Sequence, residues 1–402
     1  MLRLWPAASL AALLAFPHGA PAQQRPALRA AWEEMRTFYR ATLQSEGIVG
    51  SSLVVLRGDS TIGRDFYGMA DLASGRAVDS NTIYHWASIT KTFTAIAIMQ
   101  LRDRGLLSLD DPIVKYVPEL REVHDTFGSI DSVTIRHLLS HSAGFRNGTW
   151  PWGGDQPWHP FEPTRWAQVV AMLPYTEILF KPGSRYSYSN PGYIFLGRVI
   201  EALSGDDYEV YVEKNLLRPL GMSHSYFDRT PYHLLRDRSN NYTVVKGKPE
   251  PNGLDFDTGI TVSNGGLNSP LTDMTKYLRF LLGTPGTSED ARQVLARSSL
   301  EEMWKGRIPV GDIAGADLKT APTDSIGMGY FILESGSQRV IGHTGSQASY
   351  RSFFYINPET RSAIIANFNT VGEDGADHPS VGPLFQGLLQ RYVAGILPAL
   401  RP

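Results

Sequence analysis

Three short stretches place a nucleophile or a proton carrier beside a partner at close spacing. In "YHWASITKTF" (84–93), Ser88 stands three residues before Lys91 at the start of an apolar run. On a helix, that spacing puts both side chains on one face. A helix start offers free backbone N–H groups and a positive dipole end, which favour an oxyanion and disfavour an ammonium. A buried lysine there has a lowered pKa, and a lowered lysine helps take the proton that makes a serine hydroxyl nucleophilic. Alone, Ser88 and Lys91 equally describe a capped helix with a surface lysine. Two further stretches raise the chemical reading: "YSYSNPGY" (186–193), with Tyr188 and Asn190, and "GHTGS" (342–346), with His343, Thr344, Gly345 and Ser346 on or ending a strand.

Other chemistry finds less support. His137 and His141, in "HLLSH", have the i, i+4 spacing of two metal ligands. No glutamate follows the first, so the zinc-protease pattern fails and helix packing is the expectation. No H-E-x-x-H, P-loop or G-x-G-x-x-G is present. "TVSNG" (261–265) comes within one residue of the G-x-S-x-G of α/β-hydrolases. The absence of cysteine excludes disulfides, thiolate metal sites and a cysteine nucleophile.

These side chains need a scaffold, and 402 residues, 42% hydrophobic and 19% charged, can supply a sizeable core. Residues 26–46 have helical apolar spacing. "SSLVVLRGDSTIGRDFYGMA" reads as a hairpin turning at Gly58-Asp59, and the Ser88 run as a helix ending near Gly105. From about 108 to 300 the patterns are helices and loops, with Ser269 as the expected N-cap and Pro270 as the first residue of one helix. Strands return in "IGMGYFILESGSQRVIGHTG" and "YRSFFYINPETRSAIIANF", followed by an apolar helix over 381–396. The simplest arrangement is α+β: one antiparallel sheet built from both ends of the chain, covered by the terminal helices, with a helical part inserted.

The order Ser-x-x-Lys, Tyr-x-Asn, His-x-Gly resembles the class C-like branch of the β-lactamase and penicillin-binding protein superfamily. That branch includes β-lactamases, D,D-peptidases, D-aminopeptidases and esterases. "SLDDPIVKYVPE", "VTIRHLLSHSAGF", "KPGSRYSYSNPGYIFLGRVIE" and "PLGMSHS" follow in the expected order. The resemblance implies the β-lactamase/transpeptidase-like fold, with Ser88 as nucleophile, Lys91 as its partner and Tyr188 as proton relay. Asn190 would orient Lys91 and the substrate, and the N–H groups of Ser88 and Ser346 would form the oxyanion hole. Thr344 and Gly345 would line the substrate site. His343 departs from the pattern, because penicillin-recognising members usually carry lysine there.

The implied protein is an exported serine hydrolase that cleaves an ester or amide through an acyl-enzyme, esterase- or peptidase-like, without metal or organic cofactor. The alternatives are a class C-like β-lactamase or D,D-carboxypeptidase and, in another class, a non-catalytic ligand- or cell-wall-binding module. The expected organisation is a signal peptide over 1–22, a sheet subdomain from 23–85 plus 300–402, and a mainly helical subdomain over 86–299, with the site in the cleft between them. Arg3, the apolar run Leu4–Phe16 and Ala20-Pro21-Ala22 carry the signal-peptide reading, hence a periplasmic or secreted location with no stable membrane anchor. A net charge of -2 without basic runs gives no reason to expect nucleic acid. The expected partner is a small-molecule ester, peptide or β-lactam; the oligomeric state is not legible. The tryptophan- and proline-rich loop 150–166 carries Trp150 and Trp152 as candidates for shaping the substrate pocket.

Overall fold

A computed structural model describes residues 24–146, 164–253, 258–284, 289–311, 324–372 and 381–401. The segment 1–22 and Trp150, Trp152 and Trp158 lie outside these residues.

Helix α1 (Gln24–Ser45) buries Trp32, Met35, Tyr39 and Leu43, a stripe with spacings of three and four residues. Strands β1 (Gly50–Arg57) and β2 (Ser60–Asp71) form the expected hairpin. Near the other end lie β3 (Phe331–Ser335), β4 (Gln338–Gln347), β5 (Tyr350–Asn357) and β6 (Ser362–Phe368). Among the described residues the large sheet has nine strands, all antiparallel to their neighbours. Its order is Arg76–Ala77, β2, β1, β6, β5, β4, β3, Ser325–Ile326 and Ile308–Pro309. Strand β1 pairs with β6 over Ser51↔Phe368 to Arg57↔Ser362, so both chain ends meet in mid-sheet.

Both faces of the sheet are covered, and alternate residues serve different cores. Leu53 and Val55 join Phe353, Tyr355, Ile364 and Ala366 under α1 and the C-terminal helices. Val54 and Leu56 join Phe354, Ile356, Ala363 and Ile365 in the larger core beneath the middle of the chain. The C-terminal helix continues past its expected end, from Gly382 to Leu400, through a π-turn at Tyr392–Ile396.

On the second face runs α2 (Thr90–Asp103), buried at every residue from Thr90 to Leu101. Its threonines satisfy themselves locally: Thr90 Oγ1 donates to the Ala87 carbonyl at 2.6 Å and Thr92 Oγ1 to that of Ile89 at 2.8 Å. Packed around it are α3 (Ile135–Leu139), α4 (Asn190–Ser204), the single turn α5 (Val262–Gly265) and α6 (Leu271–Leu282).

The middle of the chain departs from expectation in two places. It contains short strands at Tyr226–Phe227, Tyr242–Val245, Lys248–Pro251 and Leu267–Pro270, whose two to four residues leave little periodicity to read. Ser269 does not cap α6. It lies in a strand, its hydroxyl meets Ser225 Oγ at 2.8 Å, and Pro270 takes the N-cap position. The strand is used elsewhere. Leu267–Pro270 pairs with Ile83–His85, and its carbonyls at Leu267 and Ser269 accept the backbone and indole N–H of Trp86, each at 2.8 Å. The little sheet thus anchors the residue two before Ser88.

Candidate active site

The turn Ala87–Ile89 leads into α2, and Ala87 has φ 50°, a left-handed value that costs a non-glycine residue about 1–2 kcal/mol. From Thr82 to Leu101 every residue is buried except Ser88. The chain therefore holds one hydroxyl out of an otherwise closed core, at a strained helix start.

Lys91, one turn on, is completely buried. Its Nζ lies 3.0 Å from Ser88 Oγ, 2.8 Å from Asn190 Oδ1 and 2.8 Å from the Asn264 carbonyl oxygen. Burial pushes its pKa well below the usual lysine value. A neutral amine has two N–H groups and one lone pair. In that form the two carbonyl oxygens would take the N–H groups and the lone pair would face the Ser88 hydroxyl.

Ser189 explains how Tyr188 and Asn190 come to flank this amine. It is the N-cap of α4, its Oγ accepting the Gly192 N–H at 3.1 Å. Asn190 is therefore the first helical residue, and Tyr188 stands just outside. Lys91 Nζ is 5.0 Å from the centre of the Tyr188 ring. Burial raises the Tyr188 pKa, opposed by a hydrogen bond to Ser88. Burial thus moves the two groups apart, the phenol's pKa upward and the lysine's downward.

The third stretch lies on β4. Strand β3 pairs with β4 only as far as Phe331↔Gly342, so residues 343–347 have β5 on one side and no β3 partner on the other. Gly345 lets this edge approach the serine turn, because a Cβ there would overlap the Trp86 carbonyl oxygen and the Ser352 hydroxyl. Ser346 is exposed and Thr344 half-buried. His343 is buried, its ring centre 6.2 Å from that of Tyr188 and 5.1 Å from that of Phe331. Its Nδ1 lies 2.6 Å from the Thr344 carbonyl, which can only accept, so Nδ1 carries the proton and Nε2 a lone pair. That Nε2 is buried without a partner among the described residues. Burial, with nearby Lys91 adding to it, lowers the His343 pKa to about 3, so the ring is neutral at physiological pH.

Ser88, Lys91, Tyr188 and Asn190 thus form one hydrogen-bonded cluster, with His343 to Ser346 on the strand edge beside it. Two participants carry no signal in the sequence. Asn264 contributes a backbone carbonyl, which any residue could supply; it lies in "TVSNG", whose resemblance to a nucleophile elbow points to the wrong serine. His141 is not a helix-packing residue like His137, whose Nδ1 takes part in the Thr134 capping box at the start of α3. His141 lies beyond the end of that helix, stacked on Tyr188 with ring centres 4.3 Å apart.

An antiparallel sheet closed by both chain ends, against a helix that opens on a lysine-bonded serine, is the build of a serine hydrolase of the β-lactamase and transpeptidase type. The chain belongs to the beta-lactamase family, whose family model, described as Beta-lactamase, matches residues 35–381. It is 24% identical over 344 residues to Protein flp of Staphylococcus aureus (strain COL), across 84% of this chain and 63% of that one. A putative D-alanyl-D-alanine carboxypeptidase of Escherichia coli (strain K12) is 29% identical over 198 residues, across 45% of this chain and 44% of the relative. The chain thus spans less than two thirds of the length of these curated relatives. Among solved structures, the octameric penicillin-binding protein homologue from Pyrococcus abyssi aligns with TM-score 0.73 and 28% identity, covering 91% of this chain and 77% of its own. A class C beta-lactamase aligns with TM-score 0.73 and 20% identity over 96% and 99%, a likeness of fold. No helix among the described residues is long and apolar enough to cross a membrane.

Proposed function

We propose that this protein is an exported hydrolase that cleaves neutral esters or amides through an acyl-enzyme on Ser88. The observation that carries the reading is the buried Lys91 Nζ at 3.0 Å from Ser88 Oγ, held at 2.8 Å by both Asn190 Oδ1 and the Asn264 carbonyl. Lys91 takes the serine proton as Oγ bonds to the carbonyl carbon. The backbone N–H groups of Ser88 and Ser346 hold the oxyanion, usually the largest electrostatic contribution to acyl transfer. Tyr188 gives its proton to the departing oxygen or nitrogen and recovers one from the lysine. Water then attacks the acyl carbon by the reverse relay. Asn190 keeps Lys91 oriented, and Thr344 and Gly345 line the carbonyl site. The sheet part (23–85 plus 300–402) and the helical part (86–299) form the two walls. Export rests on the signal-like residues 1–22.

His343 favours esters and peptides over β-lactams. A lysine at that place would hold a positive charge for a substrate carboxylate, whereas a buried imidazole with its pKa near 3 offers a hydrogen-bond acceptor. A second reading, class C-like β-lactamase or D,D-carboxypeptidase, is supported by the names of the relatives and neighbours. Turnover of the mature enzyme on short-chain aryl esters, a chromogenic cephalosporin and D-amino acid amides and peptides separates the two. The first reading expects an aryl ester, or a D-amino acid amide without a free carboxylate, to be fastest; a faster cephalosporin, or a faster peptide ending in a D-amino acid carboxylate, overturns it in favour of the second.

A further inference from the structure

We propose that His141 is a positioning residue for Tyr188, holding the phenol at the angle its proton relay needs. The inference rests on the reading of Tyr188 as that relay.

The backbone at His141 admits a histidine but does not require one. Helix α3 ends in two bonds: the Ser142 N–H donates to the His137 carbonyl at 2.8 Å and the His141 N–H to the Leu138 carbonyl at 3.2 Å. This is a Schellman ending, with His141 at the left-handed position where glycine or asparagine is usual. Its φ of 50° lies in the left-handed region, which histidine, like asparagine and aspartate, enters more often than most residues with a Cβ. The reason for a histidine lies in the side chain and in where it reaches.

His141 holds the chain on both sides of Tyr188. Its carbonyl accepts the Ser187 N–H at 2.8 Å, and its Nδ1 accepts the Ser189 N–H at 3.0 Å. Between these two anchors its ring lies on the Tyr188 ring, 28° from parallel. The imidazole is itself seated on Tyr193, 5.0 Å between ring centres, and the Tyr193 hydroxyl donates to the Leu139 carbonyl at 2.9 Å. The end of α3, Tyr193 and His141 therefore make one platform under the phenol. Accepting the Ser189 N–H requires a bare Nδ1, so the ring proton sits on Nε2, and the anchor exists only while the ring is neutral. Burial, with Lys91 and His343 nearby, keeps it neutral by lowering its pKa well below the usual value.

Two variants divide the contacts. His141→Phe keeps a ring for stacking and loses the acceptor. His141→Asn tolerates the left-handed backbone, keeps an acceptor near Nδ1 and loses the stack. Each is made in the wild type and in Tyr188→Phe, with folding checked by melting temperature and kcat and KM measured on a short-chain aryl ester. In the wild type, His141→Phe is expected to lower kcat by about 10- to 100-fold with KM within about threefold, and His141→Asn to lower it by less, because a misplaced reacting group of order 1 Å costs up to 10²-fold. In Tyr188→Phe, neither should lower kcat by more than about twofold, since the group they position is gone. If one variant fails to fold, the other pair carries the same test. Losses that multiply fully in the double variants, or an unchanged kcat in the folded single variants, overturn the proposal. An unchanged kcat in Tyr188→Phe alone overturns the relay reading itself, a result distinct from the other two.

Discussion

Beneath α1 and the C-terminal helices, buried hydroxyls on the large sheet find one another. Tyr39 donates to Ser51 Oγ at 2.6 Å, Ser51 Oγ donates to the Asn367 carbonyl at 2.9 Å, and the Ser362 and Tyr392 hydroxyls meet at 2.7 Å, with the Tyr355 hydroxyl as the exception. On the opposite face hydroxyls also pair, Tyr277 with Thr92 and Tyr330, and Tyr208 with Thr94, but close to Ser88 several polar groups are left open. Nε2 of His141, Nε2 of His343 and the Tyr186 hydroxyl are buried without partners among the described residues, at about 1–3 kcal/mol each. Ala87 and His141 are held at left-handed φ, and Lys91 is completely buried, which lowers its pKa. A closed pair of hydroxyls stabilises and keeps its protons where they are. A proton moves where donor and acceptor are poised but not saturated, and the open groups near Ser88 suit the proposed proton relay.

Lys91→Met should break the reactive face most. It removes the base, and kcat/KM for an ester should fall by about 10³-fold. The same variant tests burial of the neutral amine through stability. The folded pKa of Lys91 lies below the unfolded value of about 10.4, so between the two the unfolded chain binds the extra proton. Stability conferred at that site therefore rises with pH in this window, by up to about 1.4 kcal/mol per unit, and Lys91→Met should abolish the slope. Melting curves of both proteins from pH 7 to 9 check this; parallel curves would mean that the lysine is charged in the fold.

Tyr188→Phe keeps the stack on His141 and loses only the phenol. Its kcat should drop by about 10²-fold with little change in KM. A raised KM at unchanged kcat would make Tyr188 a binding residue. His343→Lys should shift preference by only several-fold toward a carboxylate-bearing β-lactam relative to a neutral ester, since one partly screened contact is worth about 1 kcal/mol. The ratio of the two kcat/KM values reads it out, and an unchanged ratio removes His343 from specificity. On the quiet face, Tyr39→Phe should cost about 1 kcal/mol in denaturant unfolding and leave kcat unchanged. A kcat effect there would erase the contrast between the faces.

The contrast also marks what a sequence can reveal. Ser88 and Lys91 were legible because a helix turns a spacing of three into proximity. Tyr188 and Asn190 were legible only through their place in the order of motifs that the resemblance supplies; the Ser189 cap that sets them at the start of α4 emerges from the structure. The six long strands of the large sheet were legible in apolar runs around Gly58, Gly336 and Asn357-Pro358, whereas its three two-residue strands left no pattern to read. Asn264 was hidden because it acts through its carbonyl. His141 was hidden because its role depends on a turn geometry that glycine would normally serve, and its spacing from His137 suggested a shared helix face. The strand at Ser269 was read as a helix cap because a four-residue strand leaves no alternation to weigh against Ser-Pro. Trp150 and Trp152 belong to a loop outside the described residues, so their part in the pocket rests on the sequence alone.

The central claim is that Ser88 is the nucleophile activated by Lys91, and covalent capture tests it most directly. The mature protein is incubated with a fluorophosphonate and its intact mass is measured, with peptide mapping of the adduct. One adduct per chain is expected, on the peptide that contains Ser88. It should be absent from Ser88→Ala that melts at the wild-type temperature, and strongly slowed in Lys91→Met. An adduct that persists in Ser88→Ala, or that maps to another residue, would contradict the account.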